Sequence, residues 1–173
     1  SSNPGKVLID LIQFITKWCQ ISDGFATRIL IDNLQYLLPP DSMKKQTEDT
    51  NDDKSDNYGL ILQAFAELIQ TIIEQLGSFV TPQLQQFVPI FLPKVQGKLF
   101  DKHIFPTLFE TVKLDDKLSD SVAAALRFIS NFLDNLTKES IDSLIEKIKS
   151  FSDSPHMHIR LAVVDILPLF CKF

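Results

Sequence analysis

Glycine is scarce in this chain, at 5 of 173 residues. Phosphate-cradling loops need glycine so that backbone can approach the ligand, and the tight turns of a sandwich or barrel need it for positive φ. Both classes are therefore excluded. Cysteine is nearly absent too. Cys19 and Cys171 stand at opposite ends of the chain, inside apolar helical patterns. A disulfide framework wants several cysteines in a short, loop-rich sequence. Both are read as buried thiols of a reducing compartment, which places the protein inside the cell, in cytoplasm, nucleus or both. Long apolar runs are missing: the richest stretch, residues 60–73, is interrupted by Gln63, Glu67 and Gln70. A membrane span needs roughly 18–20 such residues, so no span is expected. Basic charge is also short, with 17 Lys+Arg against 22 Asp+Glu and a net charge of −5. Binding nucleic acid takes clustered Lys and Arg to neutralise phosphates, so no nucleic-acid partner is expected. The opening Ser1-Ser2-Asn3-Pro4 has neither an initiator Met nor an apolar leader, and reads as the cut end of something longer.

Apolar residues at helical spacing are abundant. Val7, Leu8, Leu11, Ile12, Phe14, Ile15 and Trp18 follow Pro4, a helix starter. Asp23-Gly24 breaks the pattern before Phe25, Ile29, Leu30, Leu34, Leu37 and Leu38, and Pro39-Pro40 stops it. A third helix of about 20 residues follows Asn57, with Leu60, Ile61, Ala64, Phe65, Leu68, Ile69, Ile72 and Ile73 inward and Gly77 as C-cap. Thr81-Pro82 opens a fourth, kinked or split by Pro89 and Pro93. Four more are expected: residues 103–112; one capped by Ser119 or Asp120; one capped by Thr137; and one opened by Ser154-Pro155. Thr137 completes the sequon Asn135-Leu136-Thr137, but the N-cap reading is preferred. No strand-like alternation occurs. The expectation is all-α, with about eight helices.

A repeat organises the C-terminal half. An offset of 37 aligns Asp116 with Asp153, Val122 with Ile159, Ala125 with Ala162, Leu126 with Val163 and Ile129 with Ile166. Ile104 aligns with Ile141 at the same offset. A two-helix unit of this length cannot bury its apolar face alone, so such units stack. Residues 141–170, with Asp153 in the inter-helix turn and Ile159-Arg160-Leu161-Ala162-Val163-Val164 opening the second helix, resemble a HEAT repeat. The proline-bearing stretches His103-Ile104-Phe105-Pro106-Thr107-Leu108 and Phe87-Val88-Pro89-Ile90-Phe91-Leu92 resemble the first helices of that family. Ala123 stands where the last unit has Arg160, so no continuous Asp–Arg ladder exists. Residues 1–77 share only apolar periodicity.

The resemblance implies an α-α superhelix over residues 1–173, part of a longer solenoid, that serves as a non-enzymatic scaffold for other proteins. Two branches of the family are compared: nuclear transport receptors of importin-β type, some of which carry an acidic loop within one repeat, and the scaffold subunit of protein phosphatase 2A. A tubulin-binding TOG module is a further reading. It needs basic loops and an exposed aromatic, whereas Trp18, mid-helix among apolar neighbours, is expected in the core. A HEAT-like DNA glycosylase needs a basic face. Lys94, Lys98, Lys102, Lys113 and Lys117 alternate with Asp101, Glu110, Asp115 and Asp116, which reads as a solvated mixed surface.

Residues expected to carry chemistry are few. His156 and His158 lie two apart, near Asp153, but metal pairs on a helix sit three or four apart. Asp49-Thr50-Asn51-Asp52-Asp53 resembles the start of a calcium loop, yet Lys54 and Leu60 occupy its glycine and glutamate positions. No catalytic, cofactor-binding or metal residue is expected, and no cofactor. Residues 41–57 break the composition: they are almost devoid of large apolar side chains and carry −3 of the total charge. They are expected to form a disordered acidic loop, regulatory through Glu48, Asp49, Asp52, Asp53 and Asp56. The apolar end, Leu167-Pro168-Leu169-Phe170-Cys171-Lys172-Phe173, is expected to meet further repeats or a second copy.

Overall fold

The computed structural model describes residues 3–48, 57–112 and 119–173. Among them there are nine α-helices and no strand: α1 Pro4–Ile21, α2 Phe25–Ile31, α3 Asp41–Glu48, α4 Asn57–Leu76, α5 Thr81–Phe91, α6 Phe105–Thr111, α7 Ser119–Ile129, α8 Lys138–Ser150 and α9 Met157–Ile166. The eight expected helices are present. The additional one, α3, occupies the first half of the segment expected to be loop. Pro39-Pro40 ends the preceding element, and the Pro40 carbonyl then accepts from Met43 N–H at 3.0 Å, starting a new helix with Asp41 in its first turn. Asp49, Asp52, Asp53 and Asp56 lie outside the described residues, as does Asp116.

Helix ends follow local chemistry. Asn3 caps α1, its side chain accepting from Gly5 N–H at 3.0 Å. Thr137 caps α8 by accepting from Ser140 N–H at 3.3 Å. Gly77 leaves α4 with φ +55°, a left-handed conformation that favours glycine. Of the kink or split expected from Pro89 and Pro93, no split occurs at Pro89: the helix runs on to Phe91 and tightens into a 3-10 turn, Leu92–Lys94, around Pro93. Similar 3-10 turns extend α2 (Leu34–Leu37) and α9 (Leu167–Phe170), and a π-turn, Phe100–Ile104, leads into α6. Ser119 and Asp120, the two alternatives expected as N-cap, both lie inside the helix: α7 begins at Ser119 and Asp120 sits in its first turn.

Taken along the chain, the helices form four consecutive pairs, or hairpins, α1–α2, α4–α5, α6–α7 and α8–α9. Contacts join α1 to α2 and α6 to α7, and Phe65 of α4 stacks on Phe91 of α5. Successive first helices run parallel. Gln75 Nε2 of α4 reaches the Cys19 carbonyl of α1 at 2.7 Å, while Asn57 at the other end of α4 meets Asn3 before α1 at 3.4 Å. Gln70 reaches the Thr107 carbonyl at 3.1 Å and Thr111 reaches Glu74 at 3.4 Å, so α4 and α6 run the same way. Second helices do likewise: Arg127 of α7 pairs with Asp165 of α9 at 2.7 Å, and Asp134 with Lys172 at 2.8 Å. Thr137 N–H donates to Asp101 at 3.1 Å, setting α8 beside the turn before α6. The bonds between α4 and α6, between α7 and α9 with the turns that follow them, and between the starts of α6 and α8 join residues 36–38 apart; those between α1 and α4 join residues 54 and 56 apart. The first of these separations matches the sequence offset of 37.

The aligned residues occupy equivalent buried positions. Val122, Ala125, Leu126 and Ile129 on α7, and Ile159, Ala162, Val163 and Ile166 on α9, are all buried. Ala125 and Ala162 lack bulk, which lets the neighbouring helices approach closely. The centre is aromatic. Phe91 of α5 stacks on Phe65 of α4 at 5.4 Å and on Phe87 at 5.2 Å, and meets the edge of Phe132 at 5.8 Å. Phe132 stacks on Phe100 at 4.2 Å. One cluster thus fastens the second hairpin to the third, with ring geometries that add to plain area burial.

Two polar junctions tie the hairpins. Asp120 accepts from Ser78 N–H at 2.8 Å and from the Ser78 hydroxyl, bonding the exit of α4 to the start of α7. Tyr58 donates to the Lys94 carbonyl at 2.5 Å, and the Lys94 ammonium pairs with Asp41 of α3 at 2.8 Å. Burial, and then the Asp41 charge, push the Tyr58 phenol up from 10.0 to about 12.

Gly77→Ala is expected to destabilise the protein by more than ~1 kcal/mol, because φ is left-handed and the new Cβ would collide with the Asp120 carboxylate. Urea titration reads this directly. A second expectation concerns pH. The folded protein keeps the Tyr58 proton to higher pH than the unfolded chain does, so this contribution is whole below pH 10 and is lost as pH rises from 10 towards 12. The urea midpoint of Tyr58→Phe should fall less over that window than that of the unaltered protein.

Candidate interaction surface

Only one face of α1 enters the core. Ile12, Thr16 and Cys19 are buried there, and the Thr16 hydroxyl is satisfied by the Ile12 carbonyl at 2.8 Å. A second apolar face remains open. Val7, Leu11, Phe14, Trp18 and Ile21 are 56%, 45%, 67%, 46% and 80% exposed. Their spacing of four, three, four and three is a heptad seam, the pattern by which one helix receives another. Phe25 and Ile29 of α2 extend the seam, both more than half exposed. The expectation that Trp18 lies in the core is corrected: α1 is apolar on two sides, and the chain supplies a neighbour for one. Leu60, expected inward on α4, is half exposed for the same kind of reason, since the inward face is already filled by Ile61, Ala64 and Phe65.

The opposite end of the stack is open as well. Met157, Leu161 and Val164 on α9, then Leu167, Leu169 and Phe173, all lie at the surface. Cys171 is exposed rather than buried, because none of the described residues packs outside the 3-10 turn after α9; Cys19 is buried as expected. The two ends differ in their charges. On α9 Arg160 and Asp165, beside the stripe, bond within the chain: Arg160 Nη1 donates to the Ser154 carbonyl at 2.6 Å and Asp165 pairs with Arg127. The His158 imidazole lies 3.9 Å from Asp120. Asp153, in the turn before α9, is exposed, and Arg160 turns to Ser154 instead. On α1, Asp10 and Lys17 border the seam and make no ion pair among the described residues.

Other candidate chemistry does not assemble. His156 and His158 do not converge: the first gives its backbone N–H to Ser154 Oγ at 3.2 Å, the second faces Asp120. Among the described residues no group of three or more His, Cys, Asp or Glu could hold a metal ion. Among the described residues no helix is long and apolar enough to cross a membrane. Of the lysines between 94 and 117, Lys94 is engaged by Asp41, and Lys113 and Lys117 lie outside the described residues. Glu48 closes α3. A small cleft of about 140 Å³ between the Leu34–Leu37 turn and α5 is lined by Gln35, Gln83 and Gln86 with Ile31, Phe87 and Ile90.

Comparison with protein-family models, with curated proteins and with solved structures finds no match. The open seam is the most distinctive surface in this chain, and it escaped the sequence reading. Its signal was nonetheless there: α1 holds more apolar residues than one face of a helix can hide.

Exchanging Phe14 for Gln is expected to change folding stability by no more than ~0.5 kcal/mol, since an exposed apolar side chain loses little burial. Ile12→Ala, on the other face of the same helix, should cost about 2–5 kcal/mol. Thermal or urea unfolding of the two variants separates the faces.

Proposed function

We propose that the chain is a non-enzymatic, HEAT-type scaffold that binds other proteins. The observation that supports this is that, from α4 onward, the bonds between like helices and their flanking turns join residues 36–38 apart, close to the 37-residue offset in the sequence. Stacking at a constant separation is how repeat proteins build an extended surface, with each unit contacting its neighbours. Open apolar helices at both ends give such a stack faces on which partners or further repeats can dock.

The importin-β reading rests on an acidic loop inside one repeat. Here the acidic segment follows the first hairpin and precedes the second, and its first part is the helix α3. The proposal is therefore the scaffold, with the transport receptor and the phosphatase subunit as its two branches. The exposed Trp18 gives the tubulin reading an aromatic that the sequence had placed in the core.

Titration of the purified chain with Ran-GTP, with the catalytic subunit of protein phosphatase 2A and with tubulin tests these branches side by side. Saturable binding of one, with hydrogen-exchange protection on the hairpin surfaces, is expected. Retention of none of the three would remove all three branches.

A further inference from the structure

We propose that the protein forms a two-fold dimer in which the open seam of α1 packs antiparallel against the same seam of a second copy. The argument starts from the heptad. Val7, Leu11, Phe14, Trp18 and Ile21 form the apolar line, with Asp10 and Lys17 along the border that faces away from the core. The other border, Leu8 and Ile15, is half-buried against the rest of the chain. A two-fold axis brings the same surface of both copies together, so the patch must complement itself. Set antiparallel, Leu11 of each copy lies opposite Phe14 of the other, and Val7 opposite Trp18. In that register Asp10 of each copy meets Lys17 of the other, giving two opposite-charge pairs. Sliding by one heptad places Trp18 opposite Phe14 but sets Lys17 opposite Lys17. Charge therefore selects the first register, as flanking charges do in helix pairs.

Electrostatics also favours this end of the stack over the other. Arg160 and Asp165 beside the α9 stripe are already bonded within the chain, whereas Asp10 and Lys17 are exposed with no ion partner among the described residues. A head-to-tail contact between α9 and α1 would leave Asp10 and Lys17 without their complement and would continue into open assemblies rather than close at two copies.

Sedimentation equilibrium of the 173-residue chain tests this, with the emission of its single tryptophan, Trp18, as a second reading. A monomer–dimer equilibrium is expected, with Trp18 emission moving to the blue as concentration rises. Lys17→Glu and Asp10→Lys, both at exposed positions, should each weaken the dimer by about tenfold, because both pairs become repulsive. The two variants mixed should associate with each other about as well as the unaltered protein, since the mixed pair restores two attractions. The double variant D10K/K17E should do so with itself. A chain that stays monomeric, that assembles beyond two copies, or whose association ignores these charges would overturn the proposal. So would a mixture of the single variants that fails to pair.

Discussion

Each hairpin in this protein has two apolar sides, and one hairpin can cover only one side of the next. From that constraint the arrangement follows. The second and third hairpins, covered on both sides, hold the aromatic cluster around Phe91 and the fully buried run Val122, Ala123, Ala124 and Ala125. The first and last hairpins are covered on one side and expose what remains. Stability is thus concentrated in the middle of the chain, where burial of large side chains contributes most per residue.

The constraint also explains what could be read from sequence. Helices announce themselves through periodicity, and the eight expected ones are all there. The offset of 37 was visible because Ala125 and Ala162, or Ile129 and Ile166, meet similar surroundings in successive units. Sidedness was not visible. Val7 and Ile12 are equally apolar letters, and only the position of α4 decides that Ile12 is covered and Val7 is not. Trp18 and Cys171 were misplaced for this reason: a residue's own helix says how apolar a face is, but not whether anything lies against it.

The polar segment from 41 onward shows a different limit. Its composition, poor in apolar residues, argued for loop throughout, yet Asp41–Glu48 is helical. The groups that favour the helix are local and remote at once: an acid in the first turn, suited to the helix dipole, and contacts from far along the chain, with Met43 packed against the core and Lys94, 53 residues from Asp41, paired with it. Neither can be weighed from average composition.

Asp120 carries one more implication. Stacked hairpins with only nearest-neighbour contacts can open one unit at a time, from the ends inward. This carboxylate belongs to α7 and bonds Ser78 at the exit of α4. The second and third hairpins therefore share a single side chain. Freeing α7 takes from Ser78 its partner, so these two hairpins are biased to open together rather than to peel apart.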